Sequence, residues 1–170
     1  MNVLFHIVSG LGTVALVTDT SQLKEDAPIK DIFRVTVFAL TLGVISHGVL
    51  DYTPHCYPIN TKFDMSFGLL LMLTLIGFSR LRYKWIMLGG LLGCILPDLI
   101  DLLPAMLNKY LGLNLPKWNK LFPWHWKEYS GSIYNSDCAI SNLNHTLLLL
   151  TEGIIIWLKQ SDLKKILKLE

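Results

Sequence analysis

The sequence predicts an all-α fold, a polytopic membrane bundle of about five helices with an interfacial loop segment. Composition is the first ground for this: 52% of the residues are hydrophobic and 16% charged, against the roughly 25% charged share of a soluble domain. The second is a set of five long apolar runs, at 1–18, 33–50, 65–79, 85–107 and 142–158. About 20 apolar residues cross a bilayer, and somewhat fewer suffice where flanking residues snorkel. The third is the absence of the two-residue alternation that a membrane barrel requires.

Taken in order, the first run has no basic leader and no small-residue cleavage site, and it carries His6 near its start. It reads as a retained helix and not as a signal peptide. The second run closes on His47 and Asp51, with His55 just beyond. The third is the shortest. The fourth contains Pro97, which removes a backbone hydrogen bond and is expected to kink the helix where Asp98 and Asp101 enter. The fifth opens on His145. With 170 residues there is room for one domain, 1–170, and a formal net charge of +2 gives no electrostatic case for a nucleic-acid partner.

Basic residues orient the bundle. Lys24, Lys30 and Arg34 follow the first run, Arg80, Arg82 and Lys84 the third, and Lys159, Lys164, Lys165 and Lys168 the fifth. With five spans these groups share one side, which the positive-inside rule makes cytoplasmic. Glu25, Asp26 and Asp31 dilute the first group, and Lys109, Lys117, Lys120 and Lys127 in segment 108–141 oppose the assignment, although acidic residues and longer loops count less in this rule. Trp85, Trp118, Trp124, Trp126 and Trp157 fall near span ends or in that segment, as an interfacial belt requires. Cys56, Cys94 and Cys138 are odd in number and lack CxxC spacing, so neither a disulfide framework nor a structural zinc knuckle is expected, and Cys56 reads as a packed cysteine before it reads as a thiolate ligand.

Under this topology His6, His47, Asp51, His55, Asp98, Asp101 and His145 all come to the non-cytoplasmic end. Ionisable residues cost roughly 2.5–3.5 kcal/mol each inside a bilayer by insertion scales, so a set gathered at one end marks function more than scatter. His47 and Asp51 are i and i+4, one helical turn apart on one face, about 5–6 Å between Cβ atoms. Asp98 and Asp101 are i and i+3, again one face. Mixed imidazole and carboxylate donors suit Zn²⁺, with Mn²⁺ or Fe²⁺ as alternatives, more than Ca²⁺. The expected metal ligands are therefore His6, His47, Asp51, His55, Asp98, Asp101 and His145, with Asp98 or Asp101 also available as a catalytic base.

KWNKLFPWHWKEYSGS interleaves Trp with Lys and His, as in a segment lying over the site. Trp124, His125 and Trp126 are expected to form a lid that contacts substrate, with His125 an interfacial residue before a ligand. Glu152 shares the face of His145 but lies two turns, about 10 Å, deeper, so it is expected to act behind the ligands through water or a helix-to-helix hydrogen bond.

SHGVLDYTPHCYP resembles the SHxxLDxxTxxG signature of the membrane-bound metal-dependent hydrolases, the YdjM-like inner-membrane proteins. GCILPDLID is similar to that family's GxxxPDxD element, NHT at 144–146 to its THS, and FHIVSG to its N-terminal helix with an early His. The motifs touch four of the five runs; SNLNHT lacks the family's Arg-Gly pair, and the motif order differs. A looser similarity is to zinc-dependent phospholipase C, which uses HxxxD ligands as at His47 and Asp51. The resemblance implies metal-dependent hydrolysis of a phosphoester, with a membrane lipid or another amphiphilic phosphoester as partner, in a bacterial inner membrane. The rival class is a transporter of protons or divalent metal, which would need polar residues through the full depth of the bundle. A third is a scaffold whose polar cluster only ties helices together.

Overall fold

The computed structural model describes residues 1–24, 27–116, 118–134 and 137–169; Glu25, Asp26 and Lys117, which entered the charge count, lie outside them. The chain is all-helical. The described residues form seven α-helices, α1 (Val3–Val17), α2 (Ile29–Tyr52), α3 (Thr61–Phe78), α4 (Lys84–Asp101), α5 (Leu103–Leu111), α6 (Ala139–Leu158) and α7 (Gln160–Ile166). No strand forms among the described residues, only one isolated bridge between His55 and Ser132. Helices α2, α3, α4 with its preceding turn, and α6 are long and apolar enough to cross a membrane. Helix α1, at 15 residues, is a shorter apolar helix.

Helix α4 is central, packing on α2 and α1, while α3 and α6 lean on α1 from either side. The α2–α4 crossing is close because glycines face backbone. A Cβ on Gly93 would strike the Leu40 carbonyl, and one on Gly43 the Gly90 carbonyl. Small residues let membrane helices approach this way, gaining dispersion contact where no hydrophobic force separates helix from lipid. Ile7, Val14, Ile86, Met87 and Leu91 fill the interior, whereas Phe33, Phe67, Leu70, Leu73, Ile154 and Trp157 point outward, as lipid-facing positions do.

Two sequence expectations change here. The run at 85–107 is not one helix: α4 continues through Pro97 to Asp101, breaks at Leu102, and restarts as α5 with Pro104 in its first turn. Proline fits a helix start, where its missing N–H is no loss, and α5 ends on Gly112 in the left-handed conformation. Segment 108–141 is correspondingly shorter as a loop, since α5 reaches Leu111 and α6 starts at Ala139.

Residue Asp64, in the first turn of α3, joins two helices. It is buried, and its carboxylate accepts from the Val3 and Leu4 amides at 2.7 and 3.0 Å, capping α1 from outside. The first four N–H groups of a helix have no internal partner, and a carboxylate also complements the positive helix end. At the opposite end Tyr83 donates to the Leu23 carbonyl and Arg82 to the Ala27 carbonyl, tying the connection before α4 to the loop after α1.

Candidate metal centre

The site begins with the register of α2. His47 and Asp51 share one face, as the spacing requires, and His47 Nε2 lies 3.2 Å from Asp51 Oδ2. His47 Nδ1 lies 2.7 Å from the Cys94 carbonyl, which can only accept. That contact keeps the ring proton on Nδ1, which donates to the carbonyl, and leaves Nε2 turned inward, the second-partner arrangement usual for a metal-ligating histidine. Asp98 comes from the end of α4, with Oδ1 3.7 Å from His47 Nε2.

The fourth member is His125. Its Nε2 is 3.2 Å from His47 Nε2, 3.2 Å from Asp51 Oδ2 and 3.2 Å from Asp98 Oδ1. One donor atom each from His47, Asp51, Asp98 and His125 lies within 4.8 Å of every other, and the group could hold a metal ion. Ligand atoms about 2.0–2.1 Å from a tetrahedral ion stand about 3.3–3.4 Å apart, close to the four separations of 3.2 Å found here and shorter than the 3.7 Å between His47 and Asp98. Burial disfavours charge on the His125 ring, but Asp51, Asp98 and Asp101 outweigh it and push the ring up to about 9. The excess negative charge that would hold a proton on His125 is also what a divalent cation would neutralise.

His125 is a correction to the lid expectation. It lies on a short 3-10 turn (Pro123–His125) and is buried. Asp101 puts it there. One Asp101 oxygen accepts from Leu121 N at 2.8 Å; the other accepts from Phe122 N at 3.0 Å and His125 Nδ1 at 2.8 Å. Asp101 is therefore a positioning residue behind His125 and not one of the four. The sequence signal in PWHW was slight: a histidine between two tryptophans, two residues after a single proline. What spacing could not show was that the connection between α5 and α6, the strap, folds back onto α4.

The strap is fastened at several points. Gly131 N donates to the Asp51 carbonyl, His55 N to the Gly131 carbonyl and Ile133 N to the His55 carbonyl, at 2.7, 2.8 and 2.7 Å. A Cβ on Gly131 would collide with the Thr53 carbonyl, so only glycine permits this approach. Cys56 and Cys138 form a disulfide, where the sequence suggested no disulfide framework and a merely packed Cys56; their sequence separation of 82 hid a pairing that the strap brings about. That bond also removes Cys56 as a thiolate ligand. Trp124 packs over Gly48, where a Cβ would meet its ring, and sits 6.2 Å from the His47 ring. Trp126 donates to the Lys120 carbonyl at 2.9 Å and stays exposed.

Other expected ligands are placed differently. His6 is close: its ring stacks on His47 at 4.0 Å, and its Nε2 is 3.2 Å from Asp51 Oδ1, without the alignment of a hydrogen bond. The Met1 amino nitrogen also contacts Asp51 Oδ1. His55 does not continue the α2 face, because the helix ends at Tyr52 and Pro54 disfavours helical geometry before it. Its Nδ1 meets the Thr53 carbonyl at 2.7 Å and its Nε2 the Tyr57 hydroxyl at 3.1 Å. Burial pushes the His55 ring down to about 4. His145 stacks on Phe5 at 4.2 Å because α6 packs mainly on α1, which leaves it outside the group. Glu152 is buried against Gly12, where a Cβ would overlap its carboxylate, and Oε2 has no hydrogen-bond partner among the described residues.

A cavity of about 720 Å³ opens beside the cluster and is lined in part by Asp51, Asp98 and His125. The chain matches no protein-family model, no curated protein and no solved structure.

Proposed function

We propose that this chain is a membrane-embedded, metal-dependent hydrolase of a phosphoester, with His47, Asp51, Asp98 and His125 holding the ion at the non-cytoplasmic face. The observation that carries the reading is the convergence of two imidazole nitrogens and two carboxylates at near-tetrahedral ligand separations beside a cavity. The likeness of SHGVLDYTPHCYP and GCILPDLID to membrane-bound metal-dependent hydrolases supports the same chemistry. A divalent ion, with zinc favoured by this donor set, would supply Lewis acidity and an activated water near neutral pH.

The protein's own groups divide the remaining work. Asp101 keeps His125 in one tautomer and aims its Nε2 at the cluster. The Cys94 carbonyl does the same for His47. His6, stacked on His47 with its Nε2 3.2 Å from Asp51 Oδ1, is fully buried against the four and helps to fix the His47 ring. Trp124 covers the His47 side of the cluster. The disulfide favours an oxidising compartment, which agrees with the positive-inside assignment of the opposite end to the cytoplasm.

The test is elemental analysis of the purified protein with phosphodiester hydrolysis measured before and after chelation. Stoichiometric metal and chelator-sensitive turnover are expected. Metal content unchanged in both His47→Ala and Asp98→Ala would sink the assignment.

One observation favours a transport reading. Below the cluster Ser9 and Ser46 share a 2.6 Å hydrogen bond, and a small recess beside them contains Thr13 and Glu152. Proton or divalent-metal flux in proteoliposomes, abolished by Glu152→Gln, from protein that hydrolyses no phosphoester would replace the hydrolase with a transporter.

A further inference from the structure

The cavity beside the cluster is polar at one end only. At that end lie Asp51, Asp98 and His125, with Lys120 and Lys127 from the strap. The rest is an apolar trough between α3 and α4–α5. Met65, Leu69 and Met72 line one wall at helical spacing, and Ile95, Leu99 and Leu103 line the other. Gly68 keeps the α3 wall close to α1, since a Cβ there would meet Val3.

Depth decides what such a trough fits. Thr61, at the polar end, and Met72, at the deep end, are eleven residues apart on one helix, about 16 Å at 1.5 Å per residue. Half of a hydrocarbon core about 30 Å thick is about 15 Å. The trough therefore runs from the helix ends that carry the cluster to about the bilayer midplane, the depth of one leaflet. A water-soluble phosphoester would have no use for the apolar length. A lipid of the adjoining leaflet would need no route through the membrane, because its head group and its chain already lie at the matching depths.

We propose that the trough holds a hydrocarbon chain of a membrane lipid whose phosphate ester rests at the cluster, with Lys120 and Lys127 facing the anionic head. The assignment of the substrate class rests on the hydrolase reading; occupancy of the trough does not. Lys120 is held for this role, since its Nζ donates to the His125 carbonyl at 2.7 Å and so sits at the rim of the cluster. Lipid binding there is driven by chain burial against Met and Leu side chains and by charge complementarity at the head.

The test is photo-crosslinking of the full chain, reconstituted in bilayer nanodiscs, with phosphatidylglycerol carrying a diazirine at the acyl terminus. Crosslinks concentrated, residue by residue, on Leu69, Met72 and Ile95 toward the deep end are expected. Crosslinks spread evenly over the lipid-facing positions Phe33, Leu70 and Ile154 would overturn the trough. Met72→Trp, which fills the deep end, should raise KM for a long-chain phosphodiester roughly tenfold. It should leave metal content and turnover of bis(4-nitrophenyl) phosphate unchanged. Equal kinetics on the long-chain substrate would also overturn the trough. Trough-specific crosslinks without hydrolysis of either phosphoester would remove the hydrolase and leave the lipid site standing; hydrolysis with scattered crosslinks would do the reverse.

Discussion

His47 and His125 meet Nε2 to Nε2 at 3.2 Å, while each commits its Nδ1 elsewhere, His47 to the Cys94 carbonyl and His125 to Asp101. Two ring nitrogens turned toward each other, with Asp51 Oδ2 3.2 Å from both, make a concentration of acceptors that one proton satisfies poorly and one divalent ion satisfies well.

That relationship ranks the variants. His125→Ala should lose metal as completely as His47→Ala. Asp101→Asn should weaken affinity by about 10–100-fold, because only the orientation of His125 suffers. Competition against a chromophoric chelator measures both. His145→Ala, remote from the group, should retain full metal content, and loss of metal there would redraw the ligand set.

The disulfide predicts a separate outcome. Reduction, or Cys56→Ser with Cys138→Ser, should cost about 2–5 kcal/mol of stability, since closing a loop this long restricts the unfolded chain strongly. Thermal melts with and without reductant read this directly. An unchanged melting temperature would mean that the strap's backbone hydrogen bonds suffice.

His55 contributes a pH dependence. Its folded-state value, about 4, lies below the ordinary 6.5, so folding favours the neutral ring. The stability it contributes is therefore complete above about pH 6.5 and is lost as pH falls from there toward 4. Melting temperatures between pH 7 and 4 should drop less steeply for His55→Gln than for the parent chain.

At the start of α1, Asp64→Ala should destabilise by about 1–2 kcal/mol, the usual range for a lost cap. Asp64→Asn should cost less, because it keeps an acceptor. If both variants melt with the parent chain, Asp64 does not support α1.

The helices and three of the four cluster residues were legible because their signals are local. Apolar length marked α2, α3, α4 and α6, and the i,i+4 spacing paired His47 with Asp51. What stayed hidden depends on contacts between distant segments. His125 looked like an interfacial residue because nothing in PWHW states that Asp101 will draw the strap inward. His145 looked like a ligand because it occupies the right depth, and depth along a helix says nothing about azimuth. Cys56 and Cys138 needed the strap's path before their pairing made sense, and Asp64 gave no sign that it would cap a helix other than its own.

The strap has a kinetic consequence. Three donors stand on helix ends that can move only with the bundle, whereas the fourth rides on a tethered segment. Were an ion held by all four, the lifting of His125 alone would open one side of the cluster with no helix displaced, and the Asp101 contacts would set how readily it lifts.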